Sequence, residues 1–370
     1  MKTFARTAAS ILALAVGTGP ALAGKTLSYA SHVPSTHILH TEGMAPFYKQ
    51  VETDTNGEIT FKEFPGGAMG DAKSLLAIVR DGIVDSSLIV NVYYKADLPA
   101  SYMITDLGML GGDSMVMAAA AAETFLLDCP QCAEESARNH IKPLAYYASA
   151  PYILMCTKPV STLEELQGLK VRAIGPWAIW LKDIGAVPVS VPSSEVYEAL
   201  QRGQADCTIG SAAWLKNYNL KDVITYVTDL KVGTYFGALA FDMNTDTWNG
   251  LSTDERKAIV KSLPGITRRM VMAYREEDDA ALKEGLDHGV KLAEPGQALI
   301  ASYDEQKGKE VARVLGDPRA EKLELKGVVD ALMKNVDKWT KILDEIGHDP
   351  DKYEEKLQEE IYSKISVADD

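Results

Sequence analysis

The chain has 370 residues, 46% hydrophobic and 24% charged, with a formal net charge of −14. This is the composition of a folded globular protein, long enough for two domains of ordinary size. An acidic chain without a basic stripe weighs against nucleic acid and anionic membrane surfaces as partners, so an anionic ligand would have to be held by local donors. In chain order, Lys2 and Arg6 precede an apolar run from Ala8 to Val16, and Ala21-Leu22-Ala23 is a small-x-small cleavage site before Gly24. Residues 1–23 therefore read as a Sec-type signal peptide, because about nine apolar residues are too few to span a membrane. Cleavage leaves about 347 residues and deepens the charge to about −16. No Cys follows Ala23, so a lipid anchor is not expected, and the mature chain is expected in the periplasm.

Lys25–Ser31 alternates and reads as a strand, and Thr36–Thr53 carries helical spacing. Asn56-Gly57 is a turn before a strand over Glu58–Phe64, and Pro65-Gly-Gly-Ala-Met-Gly70 is a loop before a helix over Asp71–Asp81. Ile83–Val92 is a near-continuous apolar strand of the kind found in buried parallel sheets. Met115–Leu127 is an Ala-rich helix, and Ile141–Tyr147 and Tyr152–Thr157 are strands. Thr162 is a helix N-cap with Glu164 and Glu165 in the first turn. Strand Lys170–Ala173, helix Trp177–Ile184, strand Val187–Val191, helix Ser194–Arg202 and strand Cys207–Ile209 follow. Thr234–Asn244 reads as one long strand, and Thr253–Leu263 and then Thr267–Asp287 as long helices. Gly327–Ile346 and Asp349–Ile365 are charged amphipathic helices. Strands alternating with helices imply parallel α/β sheets, with ligands at strand ends.

Four cysteines stand at 129, 132, 156 and 207. In an oxidising compartment an even count suggests disulfides. Cys129 and Cys132 are expected to close a local structural bridge, whereas Cys156 and Cys207 either pair or serve as small core residues. No Gly-x-Ser-x-Gly elbow and no Ser-x-x-Lys is present, so nothing marks an enzyme. His32, His37 and His40 lack the spacing and carboxylate of a metal site, and no metal or other cofactor is expected. Arg172 ends a strand as a planar five-donor fork suited to a carboxylate; the alternative is a surface pair with Glu164 or Glu165.

Ala30-Ser-His32-Val-Pro34 with His37, then Phe64-Pro-Gly-Gly-Ala-Met-Gly70 and Val79-Arg-Asp-Gly82-Ile-Val-Asp85, stand in one order. So do Gly168-Leu-Lys-Val-Arg172-Ala, Gly185-Ala-Val-Pro188, Glu195-Val-Tyr197 through Asp206, and Trp248-Asn-Gly-Leu251. Together they resemble the solute receptors of tripartite ATP-independent periplasmic (TRAP) transporters, the DctP-type family, over about residues 25–340. The resemblance implies an α/β, two-lobed periplasmic binding protein of the type II-like, Venus-flytrap kind, with a long hinge-spanning helix and a C-terminal helical extension. It implies lobe I over 24–149 plus 236–275 and lobe II over 150–235 plus 276–336; the amphipathic tail over 337–370 runs past the usual family end as an extension. The resemblance also implies closure over a small organic acid and delivery to the small and large membrane subunits of the transporter; the amphipathic C-terminal helices are expected to pack on their own chain, giving a monomer in preference to a homodimer. A ligand-sensing subunit or an exported enzyme are the alternatives.

The resemblance makes Arg172 the carboxylate clamp. Where many relatives carry a second arginine, this chain has Pro151-Tyr152-Ile153; where they carry a ligand-contacting Asn, it has Gly210; and Val90 stands at a position that is polar in sugar-acid binders. Polar contacts are thus few, while aromatic side chains are many: Tyr93, Tyr94, Trp177, Trp180, Trp214, Tyr235 and Phe236. A monocarboxylate or zwitterion is expected, ahead of dicarboxylates, aromatic acids and sulfonates. The candidate contacts around Arg172 are His32, Asp71, Asn91, Tyr93, Tyr94, Tyr152, Trp177, Ser193, Gly210, Trp214, Tyr235 and Phe236.

Overall fold

A computed structural model describes residues 24–368; the signal-peptide segment lies outside the described residues. Eleven strands among these residues form two sheets. They are β1 Lys25–Ala30, β2 Ile59–Phe64, β3 Ser86–Val90, β4 Ile141–Tyr147, β5 Ile153–Cys156, β6 Lys170–Arg172, β7 Val187–Val189, β8 Cys207–Gly210, β9 Tyr226–Thr228, β10 Ala238–Asn244 and β11 Lys291–Ala293. The first sheet runs β2-β1-β3-β10-β4 and the second β11-β9-β5-β8-β6-β7.

Both sheets are mixed, which corrects the expectation of parallel sheets. β10 is antiparallel to β3 and β4, and β5 is antiparallel to β8 and β9. These two strands each follow a direct, non-helical passage of the chain from one sheet to the other. Each enters its new sheet from the end opposite to the local β-α-β units. The two passages hydrogen-bond to one another: Ser149 N donates to Tyr235 O at 2.9 Å, Tyr152 N to Gly233 O at 2.7 Å, and Val232 N to Tyr152 O at 2.8 Å. The stretch from Thr234 is therefore irregular until β10 begins at Ala238, shortening the expected long strand.

A third connection is the single helix Thr253–Asp287, which the sequence pattern divides into two. Ser252 and Glu255 form its capping box. Pro264 lies inside it and removes one backbone donor, yet Leu263, Ile266, Met270 and Val271 are all fully buried around the proline. Burial of that stripe outweighs the local cost of the proline. Short strands β9 and β11 and helices Pro99–Thr105, Pro130–Arg138 and Gln297–Leu315 add to the elements expected from the sequence.

The C-terminal helices Lys326–Ile346 and Pro350–Glu360 pack back on their own chain. They cover helix Ser114–Glu123, every residue of which is buried. Trp339 is fully buried, its indole N–H donating to Glu123 at 2.7 Å, and Lys338 pairs with the same carboxylate at 2.8 Å. Tyr353 OH donates to Met115 O at 2.7 Å.

Both cysteine pairs are bonded. Cys129–Cys132 closes the first turn of helix Pro130–Arg138. Cys156–Cys207 ties β5 to β8, where the two residues stand in register with Cα atoms 4.0 Å apart. Among the described residues no helix is long and apolar enough to cross a membrane.

Candidate functional site

The parallel pairs β1–β3 and β6–β8 each aim their C-terminal ends into the crevice between the sheets, where α/β folds hold ligands. His32 follows β1, Tyr93 follows β3, Arg172 ends β6 and Trp214 follows β8. Together with the crossing segments they enclose a cavity of about 40 Å³. That volume holds a few waters or one small ligand.

Arg172 is 0% exposed. Its Nε donates to Val191 O at 3.0 Å, Nη1 approaches Ile209 O at 3.5 Å and Nη2 approaches Tyr93 Oη at 3.5 Å. Its guanidinium lies over the Trp214 ring, 5.3 Å from the centroid. Among the described residues no carboxylate pairs with it; Glu165 is occupied in the capping box with Thr162. Three of five N–H groups are thus aimed at neutral oxygens, and the charge is balanced by no protein anion. A buried cation in this state costs free energy that an incoming anion removes.

The remaining walls are aromatic, hydroxylic and apolar: Tyr93, Tyr147, Tyr152, Trp214, Tyr218, Tyr235 and Tyr274, with Ser149 and Ser193, over Val33, Leu88, Val90, Ile174 and Ala238. Several hydroxyls are already committed. Tyr235 Oη donates to Gly237 O at 3.1 Å, Tyr218 Oη donates to Ser193 Oγ at 3.1 Å, and Ser149 Oγ donates to Ala150 O at 2.9 Å. His32 Nδ1 is buried without a protein partner. His37 Nδ1 accepts from Leu39 N at 3.0 Å, which puts the ring proton on Nε2, 3.4 Å from Tyr274 Oη.

Burial pushes the His32 imidazole down to about 4 and that of His37 down to about 3, so both are neutral at pH 7. Burial likewise pushes the Tyr152 and Tyr218 phenols well above their ordinary range. Among the described residues, Arg172 is therefore the one charged group lining the cavity. The histidines also make stability depend on pH. Below pH 6.5 the unfolded chain binds protons that folded His32 and His37 refuse, so stability is lost as pH falls from 6.5 toward 4 and 3. A His37→Gln variant lacks the His37 share of that loss. Its deficit in unfolding free energy relative to the parent should shrink below pH 6.5, at a rate approaching about 1.4 kcal/mol per pH unit by pH 5. Thermal unfolding across that range measures it, and a constant deficit contradicts it.

Of the residues expected from sequence, the cavity brings together Arg172, His32, Tyr93, Tyr152, Ser193, Trp214 and Tyr235. Six others stand outside its lining. Trp177 is fully buried behind Tyr152, ring centroids 4.9 Å apart, its indole N–H on Val232 O. Phe236 is fully buried beside Phe125, and Tyr94 donates to Ala72 O at 2.6 Å within the core of the first sheet. Asn91 is buried, its N–H on Gly237 O at 3.0 Å. Asp71 is exposed and accepts from Lys73 N and Ser74 N, both at 2.9 Å, ahead of helix Leu75–Arg80. Gly210 is covered by the Trp214 ring, whose atoms would stand 2.2–2.8 Å from any Cβ at that position. The absence of a side chain at Gly210 lets the indole fill that space and stack on Arg172. No sequence pattern singles out Tyr147, Ser149 or Tyr274; Tyr218, four residues after Trp214, carries a weak helical-pair signal.

The two sheets, the paired crossings and the enclosed cavity define a two-lobed binding protein. The chain matches the DctP model, "Bacterial extracellular solute-binding protein, family 7", over residues 29–314, and it belongs to that family. It is a TRAP solute-binding protein, a receptor and not an enzyme. The C4-dicarboxylate-binding periplasmic protein DctP of Rhodobacter capsulatus is 26% identical over 292 residues, 76% of this chain and 83% of that one. A TRAP solute binding protein from Bordetella bronchiseptica, solved with bound (R)- and (S)-mandelate, superposes with a TM-score of 0.72 at 24% identity, covering 85% of this chain and 99% of that chain. Another from Rhodoferax ferrireducens T118, in complex with copurified benzoate, gives 0.77 at 16% identity, covering 86% and 99%.

Proposed function

We propose that this protein is the periplasmic receptor of a TRAP transporter for a small monocarboxylate, which Arg172 clamps in the closed cleft. The buried, unpaired Arg172 opening on an enclosed cavity carries this reading. One cation suits one carboxylate; a dicarboxylate would leave its second charge, and a sugar acid its many hydroxyls, facing a lining poor in free polar partners. The relatives solved with mandelate and benzoate support monocarboxylate chemistry on this fold. A zwitterion remains compatible, because the rings around the cavity can face a cationic body. The two lobes, 24–149 with 236–275 and 150–235 with 276–325, close about the three connections; the expected boundary at 336 falls inside helix Lys326–Ile346, which packs on Ser114–Glu123 of the first lobe. Export by the 1–23 leader brings the receptor to the small and large membrane subunits.

A thermal-shift panel of acetate, pyruvate, lactate, benzoate, mandelate, succinate, glucuronate, taurine and glycine betaine tests the reading. A ligand at about 100 times its Kd adds roughly 2.7 kcal/mol, a rise of several degrees. Selective shifts by one or more of the five monocarboxylates are expected. Shifts confined to succinate or glucuronate would overturn the proposed ligand class.

A further inference from the structure

We infer that Tyr93 is the latch of the cleft, a positioning residue that ties occupancy of Arg172 to closure; this rests on the reading of Arg172 as an acid clamp. Tyr93 belongs to the turn Asn91–Tyr93 that follows β3 of the first sheet, whereas Arg172 and Ser193 belong to the second. Its hydroxyl takes donors from both: Ser193 N–H at 3.0 Å and Arg172 Nη2 at 3.5 Å. A phenol oxygen has two acceptor positions and one proton. Here both acceptor positions are used across the cleft, so the proton is left to donate, and among the described residues no protein group accepts it. The hydroxyl lines the cavity beside the guanidinium. An acid held by Arg172 supplies the missing acceptor and completes a three-way junction of ligand, first sheet and second sheet. Without an anion, closure leaves both the Tyr93 proton and the Arg172 charge without partners, so the closed state is favoured only when an acid is present.

The test uses the full mature chain with the mixture of nine panel acids at millimolar concentration. Small-angle scattering reads closure and stopped-flow Trp214 fluorescence on dilution reads release. Tyr93→Phe keeps the ring and removes the junction. It should release the acids about ten- to a hundredfold faster, with association within a few-fold of the parent and an unchanged melting temperature without acids. Tyr226→Phe, on β9 outside the cavity lining, removes a phenol hydroxyl elsewhere and should release at nearly the parent rate. If Arg172→Met abolishes closure while Tyr93→Phe closes and releases like the parent, the latch is wrong and the clamp stands. If Arg172→Met closes like the parent, or the parent itself fails to close, the clamp reading falls and the latch with it.

Discussion

Replacing Arg172 with methionine should abolish acid binding and, at the same time, leave the ligand-free protein as stable as the parent or more so. The two halves have one cause. Arg172 is fully buried, stacked on Trp214, and its guanidinium meets only neutral oxygens of Val191, Ile209 and Tyr93. Charge-assisted bonds from its fork to a carboxylate are worth about 1.5–3 kcal/mol each, so losing two weakens binding by roughly two to four orders of magnitude. In the empty protein the cation has no anionic partner to lose, and a methionine of similar length fills the site without a charge that closure would have to bury. Lysine should not restore binding, because a point charge on a flexible stem cannot replace a planar fork already fixed by Val191 O. Titration calorimetry with the panel acids and thermal unfolding without them read the two halves separately. A variant that loses binding and also loses several degrees of stability would show that Arg172 is a structural cation instead.

The second large effect is expected at the Cys156–Cys207 bridge. It closes a separation of 51 residues, and chain entropy alone assigns such a loop about 4 kcal/mol. The Cys129–Cys132 bridge, with a separation of 3, is assigned less than half of that. A Cys156→Ser/Cys207→Ser double variant should therefore melt about 6 °C lower, and a Cys129→Ser/Cys132→Ser variant about 2 °C lower. The larger bridge also sits one strand from the clamp: Val171 is in register with Cys207 and Arg172 with Thr208. Reduction should consequently loosen the Ile209 carbonyl against Arg172 and weaken acid binding before global unfolding. Scanning calorimetry with and without reductant checks the order of the two bridges, and equal losses would contradict it.

Much of this architecture is legible in the residues, and the part that is not has a common cause. The alternation around Lys170–Arg172, Val187–Val189 and Cys207–Gly210 is a local pattern, and its spacing alone places Arg172 at a strand end. The mixed sheets follow from chain crossings at Ser149–Tyr152 and Val232–Tyr235, which no local period records. Helix Thr253–Asp287 passes through Pro264 because long-range burial holds it, so propensity misplaces a break there. The cleft shows the same division. Tyr93 and Trp214 stand next to recognisable strand ends, whereas Tyr274 sits in mid-helix with the spacing of an ordinary core residue. Trp177 illustrates the reverse: its proximity to Arg172 along the chain suggests the cleft, yet one helical turn carries it into the core behind Tyr152.

The most direct measurement of the central claim is a crystal structure with the tightest-binding panel acid. The carboxylate should lie within about 3 Å of the Arg172 guanidinium, between it and Tyr93 Oη, inside closed lobes. An acid bound elsewhere in the cleft, or bound with Arg172 turned away from it, would contradict the account.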